Sequence, residues 1–278
     1  MNHTSMQIKV LYEEMGKAEK KIADWILLHP GELIPLSISE LADKCGCSEA
    51  TIVRFARRLG FGGYQELKIS LAREESKPAV SATISREDSC SAIFGKVCNE
   101  IYYSLELTKK ALQPQAIASA AQALLAADSV LILGLGNSAP IAMDAEHKLL
   151  RTGIRARACS DNHMQAIAVS HTTSRDAVIG ISHSGSSKDI VEALKIARQQ
   201  GAATICITNH GKSPIVKQSD IVLQTASNET QYSILALNSR IAQLAIIDTL
   251  YFYLVYQREE ESLASIEATE RALQSKKF

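Results

Sequence analysis

The stretch AVIGISHSGSSKDIVEALKIARQQG, residues 177–201, decides the fold. Ala177 to Ile181 is a short apolar run of strand character, and it stops at Ser182, His183, Ser184, Gly185, Ser186 and Ser187. A helical pattern follows from Asp189 to Gln200, and Gly201 supplies the usual C-terminal stop. The same strand, polar turn and helix recur upstream. Ser129 to Leu133 leads into GLGNSA (134–139) and a helix from Ala139 to Arg151 closed by Gly153. Thr204 to Ile207, Ile221 to Leu223 and Arg155 to Cys159 supply three more strand candidates. Strands apolar throughout and spaced by single helices imply a doubly wound, parallel, five-stranded sheet covered on both faces.

Upstream the texture differs, and 278 residues suit two domains better than one. Residues 5–73 read as helical throughout, so the fold class is α/β with an all-α N-terminal domain. The polar, proline-containing segment 74–89 reads as a linker. A helix is expected over Cys90–Ala111, with Pro114 placed to start the next. The expected division is 1–75, a connecting segment 76–112, and 113–278.

The formal net charge is zero, so any nucleic-acid surface must be a local patch. No basic-then-apolar signal opens the chain, and the most apolar stretch, Ile241 to Tyr256, is interrupted by Asp248. A cytoplasmic protein with no membrane partner is expected. Six scattered cysteines lack zinc-site spacing, and Cys45-Gly46-Cys47 is too tight a pair. They read as small, reduced, buried residues, and no metal is expected.

Residues 38–68, ISELADKCGCSEATIVRFARRLGFGGYQELK, hold two short helices around a glycine turn. Ser39 is expected to cap the first, Glu40 to Lys44, and Gly46 to make the turn. Ser48 is expected to cap the second, which runs to about Leu59. At about 100° per residue, Ile52, Phe55, Ala56 and Leu59 share one sector, and Thr51, Arg54 and Arg58 lie nearly opposite with Arg57 at their edge. From Lys44 to Arg73 there are six basic residues and two acidic ones. Such a patch favours phosphate contact, and arginines at the front of a helix reach guanine edges.

This segment resembles the recognition region of the RpiR family of bacterial transcriptional regulators, including the Leu-Gly-Phe-x-Gly-Tyr exit. AEKKIADWILLHP (18–30) resembles that family's first helix. The resemblance implies a helix-turn-helix bundle that binds a double-stranded DNA operator through Ser48, Thr51, Arg54, Arg57 and Arg58, with Lys68 on the backbone.

In a parallel α/β sheet, both Gly134–Ala139 and Ser182–Ser187 emerge at the carboxyl edge, where ligands bind. Each offers helix N-terminal amides and small hydroxyls suited to phosphate. Gly134-Leu135-Gly136 also opens the dinucleotide fingerprint, but Ala139 stands at the third glycine position. No acid ends the second strand, although Asp161 lies close. Gly211-Lys212-Ser213 lacks the glycine that a P-loop requires. No cofactor is expected.

The paired loops resemble those of the SIS (sugar isomerase) domain, which binds phosphosugars, and ATICITNHGKSPIVKQSDIVL and NSRIAQLAIIDTLYF resemble its later segments. The resemblance implies phosphate-binding roles for Ser138, Ser182, Ser184 and Ser187, beside the Gly136–Asn137 turn, and places His183 toward the sugar hydroxyls. Ser186-Ser187 stands where the family often has Glu-Thr, which bears on the identity of the sugar. Glu229 stands near the catalytic glutamate of related isomerases, with His163, His171 and His210 as candidate partners. In the regulators a residue there would hydrogen-bond the sugar instead.

A sugar-phosphate pocket joined to a DNA-binding module implies a transcription factor, expected as a repressor of sugar or amino-sugar catabolism genes, rather than an enzyme. The competing reading is a phosphosugar isomerase with an N-terminal interaction domain. The apolar positions Ile241, Leu244, Ala245, Ile247 and Leu250 suit a core or a subunit interface, and a homodimer or tetramer is expected.

Overall fold

A computed structural model of the chain describes residues 4, 7, 8, 11–75, 84–227 and 237–276. They divide into two compact units: one comprises the described residues up to Glu100, the other those from Ile101 to Ser227 and from Leu237 onward. The division falls inside a helix. Most of the expected linker, 76–83, lies outside the described residues.

The first unit is all-helical. Its helices are α1 (Lys17–Leu28), α2 (Ile38–Cys45), α3 (Glu49–Arg58) and α4 (Tyr64–Glu75). Ile22, Ile26, Leu33, Leu41, Ile52, Phe55 and Leu67 fill its core, each at most 1% exposed. Helix α2 begins earlier than its sequence pattern indicates. Ser37, not Ser39, is the N-cap: Glu40 N donates to Ser37 Oγ (3.2 Å) and Ser37 N to Glu40 Oε2 (2.6 Å). This reciprocal capping box satisfies two amides at once and lets Ile38 enter the core as the first helical residue. Ser39 is buried instead, donating to Glu49 Oε1 at 2.7 Å and so tying α2 to α3.

Helix α5 (Cys90–Ala111) leads to the second unit, where α6 (Pro114–Ala126) is started by its proline. Five parallel strands follow: β1 (Ser129–Gly134), β2 (Ala156–Cys159), β3 (Asp176–Ile181), β4 (Ala203–Thr208) and β5 (Ile221–Gln224), in the order β2-β1-β3-β4-β5. Helices α7 (Ala139–Arg151), α8 (Asn162–Ser170) and α9 (Lys188–Gln199) alternate with them, and α10 (Leu237–Gln257) and α11 (Glu259–Leu273) end the chain.

Alternation along each strand divides the core into two layers. Val130, Ile132, Ile179, Ile205 and Ile207 pack with Ala142, Ala145, Ile247 and Leu250 on one face. Leu131, Leu133, Val178 and Cys206 pack with Val169, Ile190 and Leu194 on the other. Ile247 and Leu250 are therefore core residues, while Ile241, Leu244 and Ala245 are half-buried. Among the described residues no helix is long and apolar enough to cross a membrane.

Candidate functional site

The helix-turn-helix is set by its turn. Gly46 takes φ +60°, and Cys47 N reaches back to Ala42 O at 2.9 Å, closing α2 in a left-handed conformation that a side chain disfavours. Ser48 then caps α3, accepting Thr51 N at 3.2 Å. The hydroxyls of Ser48 and Thr51 meet at 2.8 Å, and Arg54 Nη2 donates to Thr51 Oγ1 at 3.1 Å. Three predicted DNA contacts thus form one hydrogen-bonded row along the front of α3. Arg57 is exposed one turn on, and neither it nor Arg54 has an acidic partner among the described residues.

Arg58 and Lys68 are placed differently. Arg58 Nη1 donates to Glu19 Oε2 (3.0 Å) and Nη2 to Glu14 O (2.8 Å), so its guanidinium clamps α3 against α1. Lys68 Nζ donates to Leu36 O at 2.8 Å and lies 5.5 Å above the Tyr64 ring. Lys44 sits over the Trp25 ring at 5.7 Å. Periodicity assigns a face, but it does not show that an acid from a neighbouring helix reaches that face.

At the carboxyl edge of the sheet, the last residues of β1 and β3, Gly134 and Ile181, are direct register partners. The loops that follow therefore leave the sheet side by side, at the point where strand order reverses and crevices form. Gly136 (φ +55°), Asn137 and Ser138 make a 3-10 turn into α7, with Ser138 buried. Ser182 is buried, and its Oγ meets that of Ser187 at 3.1 Å. Ser184 Oγ accepts Ser186 N at 3.3 Å. Neither Ser138 nor Ser187 caps its own helix with its side chain; in α7 the Ala139 amide donates to Gly136 O and Pro140 has no amide hydrogen, so the first free amides there come after the proline.

A third loop, unforeseen from sequence, supports the second. Gly185 has φ +63°, and a Cβ there would stand 2.2 Å from Ser213 Oγ and 2.9 Å from Thr208 Oγ1. Ile215 N donates to Gly185 O (2.9 Å) and Asn209 N to His183 O (3.0 Å). The His183 and His210 rings meet edge to face, 5.9 Å between centroids. The signal is there in the chain: Thr208-Asn209-His210-Gly211-Lys212-Ser213 is a polar turn after a strand, like the other two. Its Gly-Lys-Ser draws the eye to a P-loop and away from that likeness.

Of the proposed histidine partners, only His210 comes to this edge. His171 lines a cavity of about 490 Å³ with Ser129 and Asp176, which begin β1 and β3, so it lies at the opposite end of the strands. His163 is exposed in the first turn of α8. Asp161, the acid nearest a dinucleotide ribose position, caps α8 by accepting Met164 N at 2.9 Å. Glu229 lies outside the described residues. Among those described, no group of three His, Cys, Asp or Glu has the arrangement of a metal site.

The rpiR-family helix-turn-helix profile matches residues 2–78, and the SIS-domain profile residues 123–253. An HTH-type transcriptional regulator of Caldanaerobacter subterraneus subsp. tengcongensis is 35% identical, over 98% of this chain and 97% of that protein. The chain belongs to the RpiR family of helix-turn-helix transcriptional regulators. The HTH-type transcriptional regulator HexR of Pseudomonas aeruginosa is 34% identical over 90% of this chain and 88% of its own length. Among solved structures, Vibrio vulnificus NanR complexed with ManNAc-6P shares the fold of this RpiR-family chain, with a TM-score of 0.83 at 24% identity, over 99% of this chain and 100% of that one. In this RpiR-family regulator, helix α5 falls between the two matched regions.

Proposed function

We propose that this regulator represses genes of sugar or amino-sugar catabolism, and that a phosphorylated sugar bound beyond β1 and β3 sets its affinity for operator DNA. The observation that carries this reading is the register pair Gly134–Ile181. It supports the reading because the loops that carry Ser138, Ser182 and Ser187 leave the sheet side by side, within a chain that also bears a helix-turn-helix. Amides and hydroxyls together suit a dianionic phosphate, and His183 with His210 faces the sugar. Glu229 keeps its role of hydrogen-bonding the sugar as an expectation from the family.

On the DNA side, Arg54 and Arg57, with Ser48 and Thr51, make the base and phosphate contacts, while Arg58 holds the recognition helix against α1 and Lys68 ties α4 to the segment ahead of α2. The protein acts in the cytoplasm as a homodimer or tetramer, because a helix-turn-helix pair reads two half-sites. That NanR is known with ManNAc-6P makes amino-sugar phosphates the first ligands to try.

The test is fluorescence anisotropy of the purified protein on its own upstream DNA, with and without a panel of sugar phosphates. A tenfold shift, about 1.4 kcal/mol of coupling, supports the reading and identifies the effector. Consumption of a sugar phosphate without DNA binding would overturn it in favour of an isomerase.

A further inference from the structure

Helix α5 buries two side chains fully among its described residues, and both are hydroxyls one turn apart, Ser104 and Thr108. A surface helix ordinarily buries an aliphatic stripe. Here both hydroxyls grip one peptide just beyond β5. Ser104 Oγ and Thr108 Oγ1 donate to Ala226 O at 3.2 and 3.1 Å, and Ala226 N donates back to Thr108 Oγ1 at 2.9 Å. One residue earlier, Thr225 N donates to Thr208 O at 2.9 Å, and Asn209 N donates to His183 O at 3.0 Å. Each link is direct, and together they join the serine loop to the helix that continues toward the DNA-binding unit.

We propose that the clasp of Ser104 and Thr108 on Ala226 couples occupancy of the serine loop to helix α5, and that these are positioning residues for the response rather than ligand contacts. The inference rests on the ligand-site reading above. A ligand shifts a conformational equilibrium only through differential contact with its states. Phosphate drawn into the Ser182–Ser187 loop moves the His183 carbonyl, the peptide that the β4 loop holds. The β4 loop in turn holds Thr225, and the clasp carries the displacement to α5. Contiguity alone does not establish coupling, so the test must separate transmission from local support.

Thr108→Val keeps the shape of the side chain and removes the hydroxyl; Thr108→Ser restores the hydroxyl; Ser104→Ala is a milder second lesion. The full-length proteins are compared by amide hydrogen exchange, and by anisotropy on operator DNA with ManNAc-6P and glucose 6-phosphate as probes. In Thr108→Val, exchange should rise severalfold at the amides of Asn209 and Gly185 as well as Ala226. A tenfold ligand effect on DNA affinity should fall below threefold, while ligand affinity and ligand-free DNA affinity stay within twofold. Thr108→Ser should recover both responses, and Ser104→Ala should show them in part. Exchange that rises at Ala226 but not at Asn209 or Gly185 overturns the coupling, as does an undiminished ligand effect. If neither probe alters the wild type, the effector assignment fails for those sugars, and the exchange comparison still decides the clasp.

Discussion

Arg54, Arg57 and Arg58 differ little by sequence and greatly by surroundings. Arg54→Ala with Arg57→Ala should lower operator affinity tenfold or more and flatten its salt dependence, by about one unit of log–log slope for each phosphate no longer neutralised. The melting temperature should barely move, since both side chains are exposed and neither ties α3 to another helix. Arg58→Ala should do the reverse in part. Releasing Glu19 and the Glu14 carbonyl should lower stability by about 1 kcal/mol, seen in denaturant unfolding, with DNA binding weakened only as the recognition helix loosens. In the proposed ligand site, Gly185→Ala meets both a left-handed backbone and the Ser213 hydroxyl. A cost of about 2–4 kcal/mol and the loss of sugar-phosphate binding should follow, read by unfolding and by isothermal titration.

Elements are more legible in this chain than side-chain partners. The strand–turn–helix rhythm around residues 129–201 specifies the parallel sheet, because fully buried strands cannot alternate polar and apolar residues and single helices must cross between them. Cys90–Ala111 and Pro114 are likewise readable as helix and helix start. The start of α2 is harder to read. Ser37-x-x-Glu40 spells a capping box, yet the neighbouring Ser39 competes for the same role, and only the burial of Ser39 against Glu49 separates the two.

The cysteines show the same limit. Four are at least half-buried as expected, but Cys90 and Cys98 are exposed on α5, off the half-buried line of Ile93, Val97, Ile101 and Leu105. Burial pushes the Cys45 and Cys206 thiols up to about 11 and raises Cys47 and Cys159, so all four stay protonated near pH 8. Burial also raises the Tyr64 hydroxyl. Unfolded chains deprotonate these groups first, so stability holds below the ordinary thiol range near 9 and should decline as pH rises from about 9 toward 11, measured by denaturant unfolding across that range.

At the scale of the whole molecule, the helix-turn-helix and the proposed sugar-phosphate site fall on separate units, and each should be measurable without the other. Saturating the ligand site at 100 times Kd should stabilise the sugar-binding unit by about 2.7 kcal/mol, visible as a raised melting transition. Ser182→Ala with Ser187→Ala should abolish that rise and leave ligand-free operator binding intact.

The buried pair on α5 also dictates how the halves can be separated in the laboratory. A fragment cloned from Pro114, at the start of α6, would discard Ser104 and Thr108 and strand the Ala226 peptide without its donors and acceptor. Starting the fragment at or before Ile101 retains them, and that choice should separate a crystallisable sugar-binding domain from an aggregating one.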